Sequence, residues 1–127
     1  MIVKILIVED NSALRETLRA ALAKKGHVVL EASDGAQAFA VAEKELPHII
    51  LSDVVLPGVY GTTAAKKLNE FYKTSKIPIL LMSGSVEQSV LGGLLERPNI
   101  RYLKKPFDIE TLEKTIREML PEGGYTR

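Results

Sequence analysis

The chain has no cysteine, almost no net charge and no long apolar run, and each absence removes a class of protein. Without cysteine there is neither a disulfide framework nor a thiolate metal site. A total of 17 Lys and Arg against 16 Asp and Glu leaves a formal charge of +1, so no bulk field draws the chain to nucleic acid or to a membrane. No hydrophobic stretch approaches the ~20 residues of a bilayer span. Lys4 interrupts the apolar amino terminus where a signal peptide would need its core. There is no internal repeat and no low-complexity segment. The expectation is a soluble, cytoplasmic chain that contacts neither nucleic acid nor membrane directly.

What is present is an ordinary globular composition, 46% hydrophobic and 26% charged over 127 residues. That length favours one domain, and such a domain buries roughly two thirds of its unfolded surface, enough for a real core. Apolar runs alternate with amphipathic segments throughout. Residues 2–8 (IVKILIV) form a first strand, followed directly by Glu9 and Asp10. Ser12 is positioned to cap a helix over 13–25, with Leu14, Leu18, Ala21 and Leu22 on one face and Gly26 as the stop. A strand over 28–30 leads to Ser33-Asp34-Gly35 and an Ala-rich helix over 36–46, which Pro47 ends. Ile49, Ile50 and Leu51 open a third strand that delivers Asp53 and breaks at Leu56-Pro57-Gly58. Thr62 or Thr63 then caps a helix reaching 72.

A fourth strand over 78–82 ends in Ser83-Gly84-Ser85. The helix expected over 86–95 is weakened by Gly92-Gly93, at up to about 2 kcal/mol against alanines. Residues 100–103 make a fifth strand, Lys104-Lys105-Pro106-Phe107 a loop, and Asp108 caps a last helix to 120 with Ile109, Leu112, Ile116 and Met119 inward. Residues 1–120 thus read as one domain, and 121–127 as a flexible tail or the start of a linker. His27 and His48 read as surface residues flanking strands.

Five strand–helix units with short, right-handed crossovers specify an α/β domain: a doubly wound five-stranded parallel sheet, flavodoxin-like, in the order 2-1-3-4-5. Chemistry in such sheets sits at the carboxyl ends of the strands, where the order reverses. The switch point between strands one and three brings Glu9, Asp10 and Asp53 together. Two carboxylates about 4 Å apart repel by about 4 kcal/mol at an effective dielectric near 20. Three therefore call for protonation or for a cation among them. All-oxygen ligands suit Mg²⁺, which takes one or two carboxylates, waters and a phosphate oxygen. The neighbouring strand ends add the Ser83 hydroxyl and Lys104 or Lys105. Each of these residues alone reads as a solvated loop residue or, for Asp53, a helix cap. Together they make a site for a phosphoryl group.

Over residues 2–120 the chain resembles the receiver domain of two-component response regulators, of the chemotaxis-regulator type. Glu9-Asp10 looks like the family's acidic pair. Asp53 followed by Leu56-Pro57 and Gly61 looks like its phosphoacceptor loop, and Ser83 and Lys105-Pro106-Phe107 stand where the family keeps Ser or Thr and Lys-Pro-Phe. Arg97-Pro98-Asn99 departs from the usual Gly-Ala lead-in to the fifth strand.

The resemblance implies a phosphorylation-dependent switch in a phosphorelay. Asp53 would accept a phosphoryl group from the phosphohistidine of a sensor histidine kinase or histidine phosphotransfer protein. Mg²⁺ would be bound by Asp10, Asp53 and the backbone carbonyl of Val55, with Glu9 assisting through water. Lys105 would pair with the phosphoryl oxygens, Ser83 would hydrogen-bond one of them, and Tyr102 would turn inward as Ser83 moves. A cis Lys105–Pro106 bond is implied too. The domain would catalyse only its own phosphorylation and dephosphorylation, as a monomer or weak dimer, and pass its signal to a downstream protein that the sequence does not name.

Other readings fit less well. A haloacid-dehalogenase-type phosphatase needs a second Asp where Val55 stands. A flavodoxin needs a phosphate-cradling loop where Glu9-Asp10 would repel the phosphate. A pseudo-receiver working without phosphorylation would lack one of Asp10, Asp53 or Lys105, and all three are present. A receiver segment of a hybrid histidine kinase remains compatible.

Overall fold

The computed structural model describes residues 2–56, 61–84 and 91–120. Five parallel strands, β1 (Lys4–Val8), β2 (Val28–Ala32), β3 (Ile49–Asp53), β4 (Ile79–Ser83) and β5 (Ile100–Lys104), lie in the order β2-β1-β3-β4-β5. Between and after them run α1 (Ser12–Lys24), α2 (Gly35–Glu45), α3 (Gly61–Glu70), a 3₁₀ turn over Gly92–Glu96, and α4 (Ile109–Met119). This is the doubly wound order expected from the alternating pattern.

The apolar runs form strands because both sheet faces are covered. Along β1, Leu6 and Val8 enter one core with Ile50, Leu81, Ala38, Ala42, Ala65 and Leu68, from β3, β4, α2 and α3. Ile5 and Ile7 enter the other with Ile49, Leu51, Leu80, Leu18, Leu22, Leu112 and Ile116, which brings in α1 and α4. Adjacent residues of a strand point to opposite faces, so a strand buried on both must be continuously apolar. The middle strands β1, β3 and β4 show this, while β2 and β5 at the edges expose Val28, Glu31, Arg101 and Lys104.

Element ends depart from the sequence reading where a side chain or a pairing decides them. Asn11, not Ser12, caps α1: its Oδ1 accepts the Leu14 N–H at 3.0 Å. Asp34 caps α2 through the Gln37 N–H, so that helix starts at Gly35. It stops at Glu45, with Leu46 left-handed at φ 47°; a residue before proline disfavours the helical region, and Pro47 follows. Helix α3 begins at Gly61 rather than after Thr62 or Thr63 and ends at Glu70, short of Tyr72. There Thr74 turns the chain, its hydroxyl donating to the Leu68 carbonyl at 2.6 Å. Of the helix expected over 86–95, residues 86–90 lie outside the described residues; the rest is Leu91 and the 3₁₀ turn, in keeping with the poor helix propensity of paired glycines. Strand β4 runs one residue later than expected, over Ile79–Ser83, and pairing of Ser83 with Lys104 carries β5 one residue further.

A polar clasp joins the foot of this region to α3. Asn99 donates to the carbonyls of Ser75 and Ile77 and accepts from Asn69, whose side-chain oxygen accepts from Arg97 at 2.6 Å.

His27 contradicts its reading as a surface residue, whereas His48 is partly exposed beside β3. His27 is buried. Its Nδ1 accepts the Val3 N–H at 3.1 Å, and its Nε2 lies 2.7 Å from Glu113 Oε1. Since Nδ1 accepts, the ring proton sits on Nε2 and is donated to Glu113. His48, half-buried, accepts the Lys4 N–H through Nδ1 at 2.9 Å. The two rings thus take up the amides of Val3 and Lys4 at the entry to β1.

Truncating His27→Ala leaves the Val3 amide and the Glu113 carboxyl buried without their partner, and is expected to cost about 3 kcal/mol. Glu113→Gln, which keeps an acceptor for Nε2, should cost about 1 kcal/mol. Urea unfolding of both variants checks this, and equal losses would contradict it.

Candidate functional site

Each strand carboxyl end contributes one part of the site. Glu9 leaves β1 with its N–H donating to the Ala32 carbonyl at 3.0 Å, and its side chain is 2% exposed. One carboxylate oxygen accepts the Asn11 N–H at 3.2 Å and the other the Lys105 ammonium at 3.2 Å. Asp10 follows, exposed. Asp53 ends β3, with Oδ2 3.7 Å from Lys105 Nζ and Oδ1 accepting the Val55 N–H at 3.4 Å. Val55 is exposed, whereas Val54 and Leu56 are buried and hold the strand end to the core.

The loop after Asp53 returns at Gly61, whose N–H donates to the Val54 carbonyl at 2.6 Å. A Cβ at position 61 would collide with the Asp53 carbonyl oxygen, so this approach requires glycine. Ser83 is buried at the end of β4. Its carbonyl accepts the Lys105 N–H at 2.9 Å and the Tyr102 hydroxyl at 2.9 Å. The Tyr102 ring is half-buried against the core shared with Leu81 and Ile100. The Lys105–Pro106 bond is cis. Lys104 is exposed at the end of β5.

Glu9, Asp10 and Asp53 offer three carboxylate oxygens that all lie within 4.8 Å of one another. At that distance each ionised pair repels by roughly 3–4 kcal/mol at an effective dielectric near 20, less where Asp10 meets solvent. Lys105 supplies one positive charge against three. Burial pushes the Glu9 carboxyl above its ordinary value and the Asp53 charge adds to this; the Asn11 amide and Lys105 pull the other way. Hard oxygen donors without His or Cys fit a small divalent cation such as Mg²⁺. The residue set expected from the sequence, Glu9, Asp10, Asp53, Val55, Ser83, Tyr102 and Lys105, is therefore gathered at one end of the sheet, around Asp53 and the neighbouring strand termini.

Sequence reasoning missed two contributors. Asn11 turns the Glu9 carboxylate through its amide as well as capping α1. Arg15 donates from Nη1 to the Glu9 carbonyl at 2.7 Å. Neither has a spacing signature; an Arg on a helix's solvent side is ordinarily a solvated charge.

Comparison with known proteins agrees with this geometry. The family model for the response regulator receiver domain matches residues 5–117. Protein PilH of Pseudomonas aeruginosa is 39% identical over 92% of this chain and 97% of its own length. Other curated relatives are longer, and the chain spans about half or less of several of them. Among solved structures, the chemotaxis response regulator CheY4 of Vibrio cholerae superposes with a TM-score of 0.82 at 30% identity, covering 94% of this chain and all of that one. The receiver domain of a sensor histidine kinase from Pseudomonas aeruginosa, with a magnesium ion in its active-site cleft, has a TM-score of 0.78 at 28% identity and covers 94% and 98%. Fold order, the strand-end acidic cluster and the matched family together establish that this chain belongs to the receiver domain family of two-component response regulators.

Proposed function

We propose that Asp53 is the phosphoacceptor of this receiver domain, working with Mg²⁺ and receiving its phosphoryl group from a histidine kinase or histidine phosphotransfer protein in the cytoplasm. The observation that carries this reading is the Lys105 ammonium set 3.7 Å from Asp53 on one side, with Glu9 and Asp10 crowded against it on the other. A phosphoryl group brings two further negative charges to a place that already holds three. Only added positive charge makes that entry favourable.

Asp10, Asp53, the Val55 carbonyl and, through water, Glu9 would hold the Mg²⁺, which offsets charge on the phosphoryl oxygens. An Asp53 carboxylate oxygen attacks phosphorus in line. The new bond is P–O, the bond broken is P–N of the phosphohistidine, and the leaving imidazole keeps the electron pair. Lys105 moves its attraction from Glu9 and Asp53 to the phosphoryl oxygens, and the Ser83 hydroxyl donates to one of them. The Tyr102 hydroxyl donates to the Ser83 carbonyl, so a shift of Ser83 toward the phosphoryl group is passed to the Tyr102 ring and the surface beside β5. The domain catalyses only its own phosphorylation and dephosphorylation, as a monomer or weak dimer. No described helix is long and apolar enough to cross a membrane.

Incubation with acetyl phosphate and Mg²⁺ should add one phosphoryl mass to the wild type, none to Asp53→Asn and none with EDTA. Undiminished labelling of Asp53→Asn would overturn the assignment.

The raised Glu9 carboxyl gives a second test, in cation-free buffer. The folded protein holds this proton to higher pH than the unfolded chain does, so the native state binds more protons above pH 4.5. Stability contributed by this group therefore falls as pH rises from 4.5 through the folded value, and levels off above it. Urea unfolding in EDTA across this window should show the wild type losing stability relative to Glu9→Gln. A constant difference between the two would contradict the linkage.

A further inference from the structure

Arg15 is the one cation within hydrogen-bond reach of the acidic turn's backbone, among the described residues, that the proposed reaction leaves unused. It is the fourth residue of α1, and its side chain is 20% exposed. Its guanidinium makes two directed bonds, Nη1 to the Glu9 carbonyl at 2.7 Å and Nε to Glu31 Oε1 on β2 at 3.2 Å. We propose that Arg15, held by Glu31, is a positioning residue for the cation site: it fixes the plane of the Glu9–Asp10 peptide and so the relative placement of the two carboxylates. This inference rests on the reading of Glu9, Asp10 and Asp53 as a Mg²⁺ site.

On the β3 side the ladder of β1 ends at Val8 opposite Ser52. On the β2 side the Glu9 N–H still finds the Ala32 carbonyl. The Glu9 carbonyl has left the sheet, and the Arg15 guanidinium takes it up. A charged donor makes a shorter and stronger bond to a carbonyl than a neutral amide does. Glu9 is then fixed at its N–H by Ala32, at its carbonyl by Arg15, and at its carboxylate by the Asn11 N–H and Lys105. The Asp10 carboxylate meets only the Glu9 carboxyl among the described side chains, and its direction follows from the peptide before it. Rotation of that peptide would swing Asp10 out of the 4.8 Å cluster, which mutual repulsion of the carboxylates favours.

Charge alone does not describe this role, because Glu31 already balances the guanidinium. The planar fork matters, since one arm reaches the carbonyl while another is anchored on the adjacent strand. Lysine cannot reproduce both bonds. Groups that orient first ligands in this way typically govern metal affinity by about 10- to 100-fold.

The test is calorimetric titration of Mg²⁺ into wild type, Arg15→Gln and Arg15→Lys, with urea unfolding in EDTA to follow the fold separately. The expected result is a Mg²⁺ dissociation constant raised about tenfold in Arg15→Gln, with Arg15→Lys between it and the wild type. Amide NMR shifts confined to the turn around Glu9 and Asp10 would support the same role and show that the variant is folded. A wild type that binds Mg²⁺ and an Arg15→Gln that binds it equally well would overturn the inference alone, even if Arg15→Gln unfolds more easily. A wild type that binds no Mg²⁺ would overturn the cation site itself and this inference with it.

Discussion

Glu9, Asp10 and Asp53 stand within 4.8 Å of one another at the ends of β1 and β3, with the Lys105 ammonium as their nearest counter-charge. That arrangement is electrostatically unfavourable to the empty protein. It persists because rigid strands hold it: Val8 and Val54 are fully buried beside the acidic residues, and the backbone of each strand is paired on both sides. Functional sites commonly sit at such locally costly places, where the scaffold sustains what the site alone would not.

The remaining structure can be understood as support for this crowding. Two apolar layers, one under α1 and α4 and the other under α2 and α3, make the middle of the sheet unyielding. Gly61 allows the start of α3 to approach the Asp53 carbonyl directly. Asn11 and Arg15 shape the turn that carries Glu9 and Asp10. At the opposite end of β1, His27 and His48 satisfy the Val3 and Lys4 amides, and His27 reaches across to Glu113 on α4. Strand β1 is thus tethered at both ends by side chains from other elements.

Much of this was legible in the sequence because it is local. Continuous apolar runs such as residues 49–51 and 79–82 announce strands covered on both faces, and the chain order alone brings Glu9, Asp10 and Asp53 to one crevice. What escaped depends on partners far away in sequence. The contact of His27 with Glu113 spans 86 positions and leaves no periodicity. The capping choice between Asn11 and Ser12 turns on which side chain reaches the Leu14 amide, a matter of one residue. The 3₁₀ turn at Gly92–Glu96 was foreshadowed by paired glycines, yet its form is set by the Arg97 amide closing on the Leu94 carbonyl. Arg15 carried no signal because its significance lies in a backbone carbonyl, which has no letter in the sequence.

On the function proposed above, this carboxylate cluster is kept at the expense of stability in order to hold a cation. The most direct measurement is the thermal midpoint of wild type and Asp10→Asn, each in EDTA and in saturating Mg²⁺. The account predicts that Asp10→Asn melts above the wild type without the cation, because one repulsive charge is gone. It also predicts that Mg²⁺ raises the wild type markedly and the variant little. An Asp10→Asn protein that melts below the wild type in EDTA, or a wild type indifferent to Mg²⁺, would contradict it.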